Sequence, residues 1–204
     1  MKGGLCILAC FLAGLVVGHL DWIPRALGEE ALTLALCALL FLAGMGMGFD
    51  TRNFLVVRTM GFRVALLPVG IMAGTALGAL LAWALLPLCG SGLSLRDVLG
   101  VGAGFGYYSL SSVIIARMGD AALGSVALLA NITRELMTLL LAPLLVRWGG
   151  GLAPVATAGA ASMDTCMPVI ARYAGEQYAI MGIFSGMTLT LAVPVLVTGI
   201  FSLH

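Results

Sequence analysis

Charge is what this sequence has least of. Its 204 residues carry ten Lys and Arg, nine Asp and Glu and two His, so 9% of the chain is charged and the formal net charge is +1. A soluble domain carries roughly 25% charged residues. The charge here is too sparse to cover a soluble particle of this size, which excludes a cytosolic or secreted globular enzyme. The near-neutral balance excludes a nucleic-acid partner, because that needs a basic surface. Disorder needs low hydrophobicity, yet 61% of these residues are hydrophobic and the mean hydropathy is +1.13. Cysteine is scarce too. Cys6, Cys10, Cys37, Cys89 and Cys166 form no disulfide framework. Cys6 and Cys10 are four apart but have no nearby His or acidic residue, so packing is the better reading. No metal and no cofactor are expected. His19 and His204 fall at the end of an apolar run and at the C-terminus, where interfacial placement accounts for them.

What is present is apolar runs, and crossing a bilayer takes about 20 mostly apolar residues. Seven segments qualify: Gly3–Leu20, Ala31–Phe49, Val64–Pro87, Val98–Arg117, Ala121–Val146, Leu152–Arg172 and Gln177–Leu203. The first follows Lys2 and imitates a signal peptide, but it lacks a small-x-small cleavage site and is expected to be retained. No soluble domain or long linker fits between the segments. The expectation is an all-α polytopic membrane protein, residues 1–204 forming one transmembrane domain of about seven segments. If all seven cross, Lys2, Arg52, Arg58, Arg63, Arg117 and Arg172 share one side, against Arg25, Arg96 and Arg147 on the other. That excess predicts a cytoplasmic N-terminus and a C-terminus outside. In the third segment Gly70, Gly74 and Gly78 share a face on which a neighbouring backbone can approach closely.

Three segments break the pattern of a plain lipid-facing helix. Gly100, Gly102, Gly104 and Gly106 occupy every second position ahead of Tyr107, Tyr108, Ser109, Ser111 and Ser112. Each glycine costs about 1 kcal/mol of helix propensity relative to Ala. The segment is expected to unwind, with close helix packing as the alternative. Unwound backbone at membrane depth is tolerated only inside protein or beside a water-filled cavity, and transporters aim such half-helix ends at substrate. The second exception is Asn131 and Thr133-Arg134-Glu135, in the middle of the fifth segment. Asn131, Glu135 and Thr138 fall at i, i+4 and i+7 on one face, while Arg134 and Glu135, adjacent in sequence, point apart. A central membrane charge costs roughly 2.5–3.5 kcal/mol; a structural ion pair is the plainer alternative. The third is Ser162-Met163-Asp164-Thr165-Cys166-Met167-Pro168, expected to be a second unwound stretch with Asp164 at its centre and Ser162 and Thr165 as caps. Every other charge falls at a segment end or in a turn. Together the three segments predict a polar chamber of Glu135, Asp164 and Arg134 with hydroxyl and amide groups, suited to a cationic or zwitterionic solute and to protons.

Rival motifs fail on spacing. The glycine run never places the third Gly of a dinucleotide fingerprint, and it lacks the Thr-Val of a potassium filter. An intramembrane aspartyl protease needs G-x-G-D, whereas Gly119-Asp120 follows Arg117-Met118.

Gly104-Phe105-Gly106-Tyr107-Tyr108-Ser109-Leu110-Ser111, Asn131 with Arg134-Glu135-Leu136 and Pro143, and Ser162-Met163-Asp164 with Pro168 together resemble the lysine exporter (LysO) family of bacterial inner membranes. The resemblance covers essentially the whole chain. It implies export of L-lysine and close cationic analogues from the cytoplasm by a multi-pass inner-membrane protein, with Glu135 and Asp164 as the transport-essential pair. The residues themselves add an expected mechanism, alternating access coupled to protons, with Arg134, Asn131, Tyr107, Tyr108, Ser109, Ser111, Ser162 and Thr165 around substrate and proton. Two departures bear on specificity: Tyr107-Tyr108 stands where the family has Trp-Tyr, and Ser111-Ser112 where it has Ser-Gly. Family members also carry further N-terminal residues, so a homodimer or a small membrane partner subunit is expected beside the bilayer, lysine and protons. A transporter of another solute and a subunit of a larger transporter are the alternatives.

Overall fold

The computed structural model describes residues 62–202 except Ser91, together with the isolated helical positions Leu34, Ala38, Phe41 and Met45. The expected segments Gly3–Leu20 and, apart from those four positions, Ala31–Phe49, with Lys2, His19, Cys6, Cys10, Cys37 and His204, lie outside the described residues. All regular structure among the described residues is helical.

Three helices are long and apolar enough to cross a membrane: α1 (Phe62–Leu85, continued as a 3-10 turn Leu86–Cys89), α4 (Ala121–Gly149) and α7 (Glu176–Ser202). They coincide with the third, fifth and seventh expected segments. At 1.5 Å per residue each exceeds the hydrocarbon core of about 30 Å. The fourth segment is instead two helices, α2 (Leu95–Gly102) and α3 (Tyr108–Met118), separated by turns at 103–107. The sixth is α5 (Ala153–Ala158), a 3-10 stretch Gly159–Met163, turns at 164–166, and α6 (Met167–Tyr173). None of these pieces has spanning length alone. Among the described residues, three candidate spans therefore stand beside two interrupted segments, Val98–Arg117 and Leu152–Arg172.

Local chemistry explains the boundaries. Ser94 and Asp97 form a capping box at the start of α2: the Ser94 hydroxyl accepts from the Asp97 amide, and the Asp97 carboxylate accepts from the Ser94 amide at 3.1 Å. Asp120 caps α4 through the Ala122 amide at 3.3 Å. Pro168, early in α6, sits where a missing N–H has no intrahelical partner to lose.

Packing follows the small residues. Gly124 of α4 lies against Ala116 and the Ser112 carbonyl, which lets α3 fold back along α4. The inner face of α7 runs Ala179, Gly182, Ser185, Gly186, Leu189, Thr190, Val193, Val197 and Phe201 at three- and four-residue steps. Gly182 and Gly186 seat the 3-10 stretch Gly159–Met163 directly on that face. Gly70, Gly74 and Gly78 behave differently from expectation: no described residue comes within 4 Å of the place a Cβ would take on any of them.

Candidate functional site

The four alternating glycines divide two and two. Gly100 and Gly102 stay inside α2 and serve packing, Gly100 under the Phe201 ring and Gly102 against Ala79 and Thr75 of α1. Gly104 and Gly106 form the break. Phe105 between them has φ 45° and Gly106 has φ 90°, left-handed backbone that glycine adopts freely and Phe does not. Both expectations for the run hold, each for half of it.

Unwound backbone inside a membrane protein needs partners for every freed amide and carbonyl. Asn131 of α4, 4% exposed, supplies them for the first break. Its Oδ1 accepts from the Gly106 amide at 2.7 Å, and its Nδ2 donates to the carbonyls of Ala127 at 2.9 Å and Val101 at 3.4 Å. The Tyr107 amide turns back to Gly104 O at 2.7 Å, and Ser111 donates its hydroxyl to the Tyr107 carbonyl at 2.9 Å. The Phe105 carbonyl accepts from the Ala160 amide at 2.8 Å. That bond joins the first break to the second.

The second break is held from two sides. The Ser162 hydroxyl lies 2.6 Å from the Gly159 carbonyl and 2.7 Å from the Gly182 carbonyl of α7. Arg134 of α4 donates through Nε to Thr157 O at 2.7 Å, through Nη2 to Ala156 O at 2.9 Å, and through Nη1 to the Thr75 hydroxyl at 3.4 Å. Those carbonyls belong to the last turn of α5, where helix carbonyls lack intrahelical partners and a cation is favoured. The expected caps are not formed. The residue before α6 is Cys166, with no side-chain cap, while Asp164 Oδ1 accepts from the Thr165 amide at 2.6 Å.

Between the two breaks lies a cavity of about 120 Å³. Gly106, Tyr107, Tyr108 and Ser109 line it from the first break and the start of α3, Glu135 from α4, Ala160, Ala161, Met163, Asp164 and Thr165 from the second break, and Thr190 from α7. Glu135 is half-buried, and Asp164 and Thr165 are exposed. Six of the ten expected site residues thus meet at one place: Tyr107, Tyr108, Ser109, Glu135, Asp164 and Thr165. Asn131, Ser111, Ser162 and Arg134 do not line this cavity; they brace the backbone around it. Arg134 lines a separate, larger apolar cavity with Thr75, Ala156 and Thr157. The two cavities separate Arg134 from Glu135 as the 100° step between neighbouring helix positions requires. Among the described residues, no Lys, Arg or His lines the acidic cavity.

Thr190 and Met163 were not anticipated from sequence. Thr190 is 4% exposed and its hydroxyl donates to the Gly186 carbonyl at 2.9 Å. The spacing of Gly182, Gly186 and Thr190, four residues each, was the available signal, since it marks one close-approach face of the last helix. Met163 carried no such signal.

Paired interrupted helices crossing beside a cavity with two acids, flanked by membrane-length helices, define a helical membrane protein. The family model described as "Lysine exporter LysO" matches residues 8–201. The chain belongs to that family, one of transporters rather than enzymes. It is similar to "Lysine exporter LysO" of Escherichia coli (strain K12), with 31% identity over 170 residues, 82% of this chain and 54% of that protein. It is similar also to "Putative lysine exporter" of Haemophilus influenzae (strain ATCC 51907 / DSM 11121 / KW20 / Rd), with 25% identity over 195 residues, 93% of this chain and 94% of that protein. The chain thus spans about half the length of the first relative and nearly all of the second. No solved structure matches it.

Proposed function

We propose that this chain is a single transmembrane transporter domain that exports L-lysine across the bacterial inner membrane, in exchange for protons. The observation that carries the proposal is the cavity at the crossing of two helix breaks, with Glu135 from one helix, Asp164 from another break and, among the described residues, no basic residue in its lining. The exporter names of the two relatives supply the substrate.

In this reading the two ammonium groups of lysine meet Glu135 and Asp164. Charged-group hydrogen bonds of this kind contribute about 1.5–3 kcal/mol each. The α-carboxylate meets neutral donors: the hydroxyls of Tyr107, Tyr108 and Ser109, and the free amides in the first turn of α3, where the helix end favours an anion. Protons arriving from the outer side compete with the substrate for the same carboxylates and release it, and alternating access exposes the cavity to each side in turn. Asn131, Ser111, Ser162 and Arg134 hold the two breaks in register. The N-terminus is cytoplasmic and the C-terminus periplasmic.

The test is counterflow of labelled lysine with the purified chain in proteoliposomes. Accumulation should follow an imposed pH gradient and collapse when the gradient is dissipated. Accumulation indifferent to the gradient contradicts proton exchange, and its absence contradicts lysine transport by this chain.

A further inference from the structure

The basic residue nearest the acidic cavity in sequence is Arg134, and each nitrogen of its guanidinium already donates to a protein oxygen. Nε, Nη1 and Nη2 donate to Thr157 O, Thr75 Oγ1 and Ala156 O. Two of these acceptors are the terminal carbonyls of α5, and turning the guanidinium toward a ligand would leave them unpaired beside the second break. Space also restricts it. Nη2 lies 3.3 Å from where a Cβ on Gly159 would stand, so the guanidinium packs beneath the break, while the acids line the cavity between the breaks.

The cavity itself presents Glu135 and Asp164, the hydroxyl-bearing residues Tyr107, Tyr108, Ser109, Thr165 and Thr190, and, among the described residues, no cation. A ligand carboxylate placed there is attracted by neutral donors and repelled by two acids. A ligand ammonium is attracted by both acids. The charge pattern therefore rewards a second positive charge and gives little return for an α-carboxylate.

From this arrangement, and resting on the transport reading above, we infer that the site selects a linear dication through its two ammonium groups, so that a diamine without the α-carboxylate is a ligand of the same site as lysine. Arg134 is a positioning residue for the α5 end and makes no contact with the substrate carboxylate.

Competition in the lysine counterflow assay tests this. Unlabelled 1,5-diaminopentane and lysine methyl ester should each inhibit within about tenfold of unlabelled lysine, while 6-aminohexanoate, which keeps a carboxylate but has one ammonium, should be weaker than lysine by more than about a hundredfold. Labelled 1,5-diaminopentane should itself show counterflow. Failure of the diamine to compete, or competition by 6-aminohexanoate as strong as that of lysine, overturns the inference while leaving lysine transport intact. Absence of lysine counterflow instead defeats the transport reading on which the inference rests. Arg134→Lys and Arg134→Gln separate the two roles of the arginine. A positioning role changes the half-inhibitory concentrations of lysine and diamine by the same factor, with Lys restoring part of what Gln loses. A loss confined to lysine shows that Arg134 reads the carboxylate and overturns the assignment. The wild-type competition stands even if an Arg134 variant fails to fold.

Discussion

The Ala160 amide donates to the Phe105 carbonyl at 2.8 Å, so the two interrupted segments are hydrogen-bonded to each other at their breaks. The contact is reciprocal in shape. Gly106 sits under the Ala158 carbonyl, and Gly159 sits under the Phe105 carbonyl. Neither segment can be described as a broken helix in isolation, because each supplies the surface on which the other unwinds. The acidic cavity lies beside this crossing, bounded by residues of both breaks.

Adding one methyl group at the crossing should disrupt it. Gly159 has φ 63° and Gly106 φ 90°, and a Cβ on either meets backbone carbonyl oxygen rather than a side chain that can turn away. Backbone strain of this kind costs about 1–3 kcal/mol, before the steric overlap is counted. Gly106→Ala and Gly159→Ala should lower the melting temperature of the purified protein and abolish lysine export. Gly199→Ala, with nothing within 4 Å on the outer side of α7, should leave both unchanged. Equal behaviour of all three would show that the crossing is not under this constraint.

Asn131 should matter through the backbone. Asn131→Ala removes the acceptor of the Gly106 amide and the donor to Ala127 O. A buried group left unpaired costs about 1–3 kcal/mol. Thr138→Val, by contrast, removes only a hydroxyl donating to the Arg134 carbonyl one turn earlier on the same helix. Thermal melting in detergent should show a clear loss for Asn131→Ala and little change for Thr138→Val, although both side chains are buried. The reverse order would refute the bracing role.

Thr190 is expected to tune the site without supporting the fold. Its hydroxyl bonds within its own helix, to the Gly186 carbonyl, while the residue lines the acidic cavity. Thr190→Val keeps the volume and should change the apparent KM for lysine by up to about tenfold with the melting temperature unaltered. A fall in melting temperature with KM unchanged would make Thr190 a packing residue.

Much of this was legible from the chain because membrane burial magnifies anomalies. In an apolar sequence Arg134, Glu135 and Asp164 stand out by cost, and the glycine run and Pro168 announce where helices fail. What the sequence could not reveal was the direction of each side chain. By sequence Ser162 is a candidate cap for the helix following it, yet its hydroxyl reaches back to Gly159 and across to Gly182. By its cost in the membrane Arg134 belongs with the two acids, yet the second break brings unpaired carbonyls to its own side of α4, and they engage it. Partners of that kind are fixed by tertiary packing and leave no local pattern. Gly70, Gly74 and Gly78 make the same point, since their spacing marks a face but names no occupant. Hydropathy alone does not register the turns at 103–107 and 164–166, where the chain turns without becoming polar; the glycine run and Pro168 mark them instead.

The claim that Glu135 and Asp164 together form the substrate site is tested most directly by lysine counterflow with Glu135→Gln and Asp164→Asn in matched proteoliposomes. Both exchanges keep shape and hydrogen-bonding capacity and remove one negative charge. Each variant should reach the membrane, melt within a few degrees of wild type, and lose lysine exchange by about 10- to 150-fold, the scale of one lost charge-assisted contact at an ammonium group. Wild-type exchange rates in both variants would contradict the account.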